Sequence, residues 1–165
     1  ANQEVILENI EGNAVELSAE IDTNNSPMVE LNVLRSPDGV ERTRIVFFRE
    51  RGFRNPKGKG PSLSQLTIDS SYSSILPDAK SRAPETGMFE LEPKENLKLN
   101  IFVDKSVVEV FANGRKCVAM RAYPGREDST GVSIRSQGRE VELVSLDIWQ
   151  MENIYTSTSK NLQYT

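Results

Sequence analysis

Between Leu97 and Pro124 the chain reads LKLNIFVDKSVVEVFANGRKCVAMRAYP, and this run fits little besides three consecutive antiparallel strands. Leu97, Leu99, Ile101 and Val103 are apolar at every second position, with Lys98, Asn100 and Asp104 among them, as a strand with one buried face requires. Only Phe102 breaks the pattern. Val107 to Ala112 is rich in β-branched and aromatic residues and closes on Asn113-Gly114, a dipeptide that readily takes the positive φ angles of a tight hairpin turn. Lys116 to Tyr123 supplies a third strand, stopped by Pro124.

Lys105-Ser106 serves as the two-residue turn between the first two strands, without the glycine that would make it cheap. That turn sets Val103 opposite Val108, Ile101 opposite Val110, and Phe102 opposite Glu109. The aliphatic set then shares one face, while Phe102, Val107, Glu109 and Phe111 share the other. A reverse face this apolar predicts a central strand, partly covered on both sides.

Period-two alternation returns along the chain. Val15, Leu17, Ala19 and Ile21 alternate with Glu16, Ser18 and Glu20; Val29, Leu31 and Val33 with Glu30 and Asn32; Val132 and Ile134 with Ser133 and Arg135. Asn24-Asn25-Ser26-Pro27, Ser36-Pro37-Asp38-Gly39 and Gln137-Gly138 punctuate these runs at spacings typical of sandwiches and barrels rather than βαβ units. No amphipathic helix exceeds a turn or two. The expectation is an all-β fold, a sandwich or a barrel. At 165 residues it is long enough to bury roughly 70% of the surface its unfolded form exposes. Glu152 to Thr165 loses the pattern and is expected to be a loose polar tail.

The charge pattern gives no reason to expect nucleic acid, because a formal net charge of −4 lacks the basic excess such binding uses. The one basic cluster, Arg49, Arg51, Arg54, Lys57 and Lys59 around Phe53, reads as a solvated loop. No apolar run reaches the length of a membrane helix, and Ala1-Asn2-Gln3-Glu4 lacks the layout of a signal peptide. With no histidine, the commonest neutral-pH acid/base and zinc ligand is missing, and no cofactor or metal is expected. The single cysteine, Cys117, reads as a small buried apolar residue of low reactivity.

Asp104 and Glu109 are the nearest thing to a glycosidase carboxylate pair. Their register favours a structural reading, with Asp104 bonding turn amides and Glu109 paired with a cation or with backbone donors. Trp149, Tyr72, Tyr123, Tyr155 and Tyr164 could stack on a sugar, but Trp149 among Leu146, Ile148 and Met151 reads first as core or interdomain packing.

The stretch Ile101 to Gly114 resembles the recurrent segment of the C-terminal domain of glycoside hydrolase family 32, the invertases, levanases and fructan exohydrolases. Leu34-Arg35-Ser36-Pro37-Asp38-Gly39, Leu66-Thr67-Ile68-Asp69, Arg121-Ala122-Tyr123-Pro124 and Leu146-Asp147-Ile148-Trp149-Gln150-Met151 follow the same domain in order and spacing. The resemblance implies a two-sheet antiparallel β-sandwich, concanavalin- or jelly-roll-like, over residues 1–151, with Asp104, Ser106, Glu109, Phe111, Asn113, Gly114 and Trp149 as its structural signature. It also implies an N-terminal catalytic β-propeller in the same parent chain, secreted or periplasmic, with a homodimer and a fructan chain as further partners to consider. The family's Asn-Asp-Pro-Asn, Arg-Asp-Pro and Glu-Cys catalytic motifs do not occur here, so these residues are expected to be inert toward fructosides. The alternatives are a fructan-binding module and an Ig-like or jelly-roll adhesion module.

Overall fold

The computed structural model describes residues 1–51, 63–80 and 82–152 and contains eleven strands. They are β1 (Glu4–Glu11), β2 (Ala14–Asp22), β3 (Met28–Arg35), β4 (Thr43–Phe48), β5 (Ser64–Asp69), β6 (Glu85–Phe89), β7 (Leu97–Asp104), β8 (Val107–Ala112), β9 (Lys116–Arg121), β10 (Gly131–Gln137) and β11 (Glu142–Gln150). A six-stranded sheet runs β1-β10-β3-β4-β5-β6, and a five-stranded sheet runs β11-β2-β7-β8-β9; every pairing is antiparallel. Among the described residues there is no helix, and the two sheets stack as a β-sandwich.

Alternation builds the core. In the five-stranded sheet, Val15, Leu17, Ala19 and Ile21 lie opposite Val103, Ile101, Leu99 and Leu97, and all eight are buried. They belong to the same cluster as Val29, Leu31 and Val33 of β3, Ile45 and Phe47 of β4, and Leu66 and Ile68 of β5. Each such side chain contributes roughly 1.5–3 kcal/mol by leaving water. At the β6 side, Phe89 packs on Phe47 with ring centroids 6.0 Å apart.

The β7–β8 register is the one read from the sequence, with Val103 opposite Val108, Ile101 opposite Val110 and Phe102 opposite Glu109. Lys105 turns the chain at φ 53°, its amide donating to the Asn13 carbonyl. In the second turn Asn113 and Gly114 both take positive φ, 49° and 63°. A Cβ at Gly114 would meet nothing within 4 Å, so glycine is favoured there by conformation, not space. Asn113 does more than turn: its side chain accepts from the Lys98 amide at 3.0 Å and donates to the Asn96 carbonyl at 2.9 Å and to Glu95 at 3.0 Å. It thereby staples the hairpin to the segment entering β7.

Three details depart from expectation. β9 ends at Arg121, two residues before Tyr123. All eight residues of β3 are buried, Glu30 and Asn32 included, because the outer face of the six-stranded sheet is roofed by its own polar side chains and loops. The outer side of β8, by contrast, is open: Glu109 and Phe111 are exposed, and Phe102 and Val107 are half-buried. On the β1 edge, the register against β10 shifts between Ile6 and Glu11, where Asn9 takes φ 62°. The tail expected from Glu152 onward, and the basic residues Arg54, Lys57 and Lys59, lie outside the described residues apart from Glu152 itself.

The two faces of the β7–β8 hairpin should answer differently to truncation. Ile101→Ala is expected to cost about 2–5 kcal/mol in urea unfolding, as a cavity in a dry core does, and Phe111→Ala under about 1 kcal/mol; equal losses would show that the outer face is also packed.

Candidate functional site

The signature residues lie on the five-stranded sheet and in its turns. Pairing places Trp149, Glu16, Phe102, Glu109 and Ala119 along one rung across β11, β2, β7, β8 and β9, on the outward side of the five-stranded sheet. The next rung carries Asp147, Ser18, Asn100, Phe111 and Cys117. Phe102 meets Phe111 edge-on at 5.9 Å, and the rings stay in reach of solvent, with Phe111 38% and Trp149 50% exposed. Ser106 sits in the β7–β8 turn and Asn113 and Gly114 in the β8–β9 turn, at the two ends of β8.

Several assigned roles need correction. Trp149 is not in the core, because Leu146 and Ile148 take the inward positions of β11 and leave it facing out. Asp104 and Glu109 are exposed, and among the described residues neither carboxylate has a hydrogen-bond or salt-bridge partner. The turn amide that Asp104 was expected to bind is taken by Asn13, and Glu109 faces Phe102 and Ala119, with no cation on its rung. Cys117 is exposed, since Val118 and Met120 occupy the inward positions of β9; partial desolvation and the nearby Glu109 carboxylate push its thiol pKa up. No common aromatic platform forms among the described residues: Tyr72 lines a cleft on the opposite sheet and Tyr123 a groove at one end of the sandwich, while Tyr155 and Tyr164 lie outside the described residues.

The opposite sheet holds what the sequence reading missed. Outside β1, β10, β3 and β4 lies a polar cleft of about 470 Å³, lined by four arginines and three carboxylates among others. Arg35 grips Glu4 bidentately at 2.8 and 3.1 Å, and Arg44 bridges Glu30 at 2.9 Å and Asp69 at 3.0 Å. Arg35 holds the Glu4 carboxyl at a pKa of about 2, against desolvation, with help from the Ser133 hydroxyl. Charges alternating along and across paired strands signal such a face, but only once the pairing is known.

Glu41 closes the end of the sandwich beside this cleft. It is wholly buried and accepts from the amides of Ile75 at 2.7 Å, Gly125 at 2.8 Å and Arg126 at 3.1 Å, and from the Ser129 hydroxyl at 2.6 Å. Burial alone would raise its pKa; the Ser129 hydroxyl and the three amides outweigh this and hold it below the usual carboxylate value. One side chain thus ties the β5–β6 and β9–β10 loops to the start of β4. Among the described residues no group of three His, Cys, Asp or Glu side chains could hold a metal ion, and the arrangement offers fixed ion pairs on one sheet and aromatic rings among separate carboxylates on the other rather than acids converging on one point.

Two consequences can be measured. Glu41→Ala strands three amides and a hydroxyl and is expected to cost about 3 kcal/mol or more, read as a lowered urea midpoint; a loss within 0.5 kcal/mol, the range of ordinary surface changes, would show the loops hold without it. Glu4 has a lowered folded pKa, so its stabilisation is complete above its ordinary value of 4.5 and is lost as pH falls toward about 2. Thermal melts of Glu4→Gln should accordingly fall less steeply than wild type over that window; parallel curves would remove Glu4 from the acid limb.

Known proteins are similar to this chain in sequence and in fold. The model of the family described as "Glycosyl hydrolases family 32 C terminal" matches residues 1–150. A fructan 6-exohydrolase of Beta vulgaris is 30% identical over 136 residues, 76% of this chain and 21% of that protein; a levanase of Bacillus sp. (strain L7) is 29% identical over 153 residues, 92% of this chain and 15% of that protein. The crystal structure of fructan 1-exohydrolase IIa from Cichorium intybus superposes with a TM-score of 0.74 at 18% identity, covering 92% of this chain and 33% of that one. The chain therefore spans only a minor part of the proteins it matches.

Proposed function

Because this chain belongs to the glycosyl hydrolases family 32 C-terminal family, we propose that it is the non-catalytic accessory module of a β-fructofuranosidase-type glycoside hydrolase, bracing the catalytic propeller that precedes it in the parent chain. The relatives are a fructan exohydrolase and a levanase whose length far exceeds this one, and the accessory reading takes their activity to reside in the remainder. On this reading residues 1–151 form the module.

The observation that carries the bracing role is the outer face of the five-stranded sheet. Phe102 and Phe111, with Val107, Cys117 and Ala119 around them and Trp149 two strands away, make a flat surface whose aromatic area meets water. Carboxylates interrupt it, Glu16 and Glu109 on one rung and Asp147 on the next, none of them in a salt bridge among the described residues. Aromatic surface gathered in this way is the kind that partner docking buries. The adhesion-module alternative has no comparable support once the family is established.

Two measurements test the proposal. Co-expressed with the preceding segment of its parent gene, the chain is expected to co-purify with it, and the pair Phe111→Asp and Trp149→Asp to abolish co-purification while leaving the chain's own melting temperature within a few degrees; co-purification that survives both changes would overturn the assignment of this face. Incubated alone with sucrose, inulin or levan, the chain is expected to release no fructose, and turnover that persists through repurification would overturn the non-catalytic reading.

A further inference from the structure

We propose that the polar cleft on the outer face of the six-stranded sheet is a binding site for a neutral sugar, taking a ring hydroxyl between Asn32 and Arg135. This goes beyond the accessory role, which uses the opposite sheet.

Two atoms carry the proposal. Asn32 is 1% exposed and lines the cleft; its amide nitrogen donates to the Ser133 hydroxyl at 3.1 Å and to Glu4 at 3.4 Å, yet its Oδ1 is buried with no partner. Arg135 stands on the adjacent strand, two residues along from Ser133, the residue paired with Asn32, and its Nε is likewise buried and unpartnered. Unmet buried polar atoms are costly, on the order of 1–3 kcal/mol each, so two at one cleft call for an occupant. They are of opposite polarity: Oδ1 needs a donor and Nε–H needs an acceptor. A carboxylate or fully ionised phosphate would satisfy the arginine but offers Asn32 Oδ1 no donor. An apolar ligand would satisfy neither. A hydroxyl group does both, and a sugar presents several.

The surroundings agree. A cleft of about 470 Å³ exceeds the roughly 30 Å³ share of one water molecule and falls within the range of small-ligand sites. Its floor is held rigid by the Arg35–Glu4 and Arg44–Glu30 pairs, so polar groups are fixed before any ligand arrives. Tyr72 stands at the rim, 51% exposed, with the Arg42 guanidinium over its ring at 4.6 Å; aromatic rings here can lie against the C–H face of a sugar. Neither Arg42 nor Arg135 is in a salt bridge among the described residues. Arg42, held only by the Gly39 carbonyl and the Tyr72 ring, can therefore shift to admit a ligand without breaking an ion pair, while Arg135 keeps its Nε at the site.

The test is calorimetric titration of the 165-residue chain with inulin-type and levan-type fructo-oligosaccharides, chosen from the family, and with maltotriose. Saturable binding to at least one is expected, weakened about tenfold or more, or about 1.4 kcal/mol, by Arg135→Leu and by Tyr72→Ala, the latter an exposed position that leaves the fold intact. Inorganic phosphate is expected not to compete. Absence of binding to all three sugars, binding unchanged in both variants, or displacement by phosphate would each overturn the proposal. Phe111→Asp with Trp149→Asp serves as the control: these changes are expected to spare sugar binding, so loss of this site and loss of the docking face are separately visible.

Discussion

Everything in this fold depends on two half-apolar sheets having no way to dry their inner faces except against each other. β2, β7 and β8 present Leu17, Ile101 and Val110 to Leu31, Ile45 and Leu66 of the opposing sheet, all within one buried cluster. Because side chains alternate along a strand, committing every second position to that layer leaves the positions between them for the outer face. The outer faces are free to diverge, and they do: one carries exposed aromatic rings, the other a polar cleft crossed by ion pairs.

This division explains what could be read from residues alone. The β7–β8 hairpin was legible down to its register because a clean aliphatic period, a short turn and Asn113-Gly114 all specify the same pairing. Inward positions of β2 followed from the same rule. Glu30 and Asn32, read as the solvent side of β3, are buried because their neighbours come from β10, β4 and the β1 edge, strands distant in sequence. Period two says which residues share a face; it says nothing of what lies across the sheet from them. The same blindness left Trp149 open between core and interdomain packing and buried Cys117, whereas both stand on the outer face.

Glu41 is the plainest case of a residue with no sequence signature. It follows Val40 in a turn whose composition predicts exposure, yet four donors from two distant loops converge on it. A buried carboxylate satisfied chiefly by backbone amides holds loops without asking anything of their side chains. The loops at that end can accordingly vary in character, Ile75 and Leu76 being exposed beside the junction, while their paths stay fixed.

The β1 edge carries a quieter implication. An outermost strand offers its spare amides and carbonyls to any passing extended chain, and a straight one invites polymer growth. Here the ladder to β10 slips between Ile6 and Glu11, with Asn9 in the left-handed region, so the rim is kinked midway. A second molecule trying to continue the sheet would find matching hydrogen-bond groups over only a few residues before falling out of step, which lets Val5 and Ile6 stay uncovered without seeding fibres.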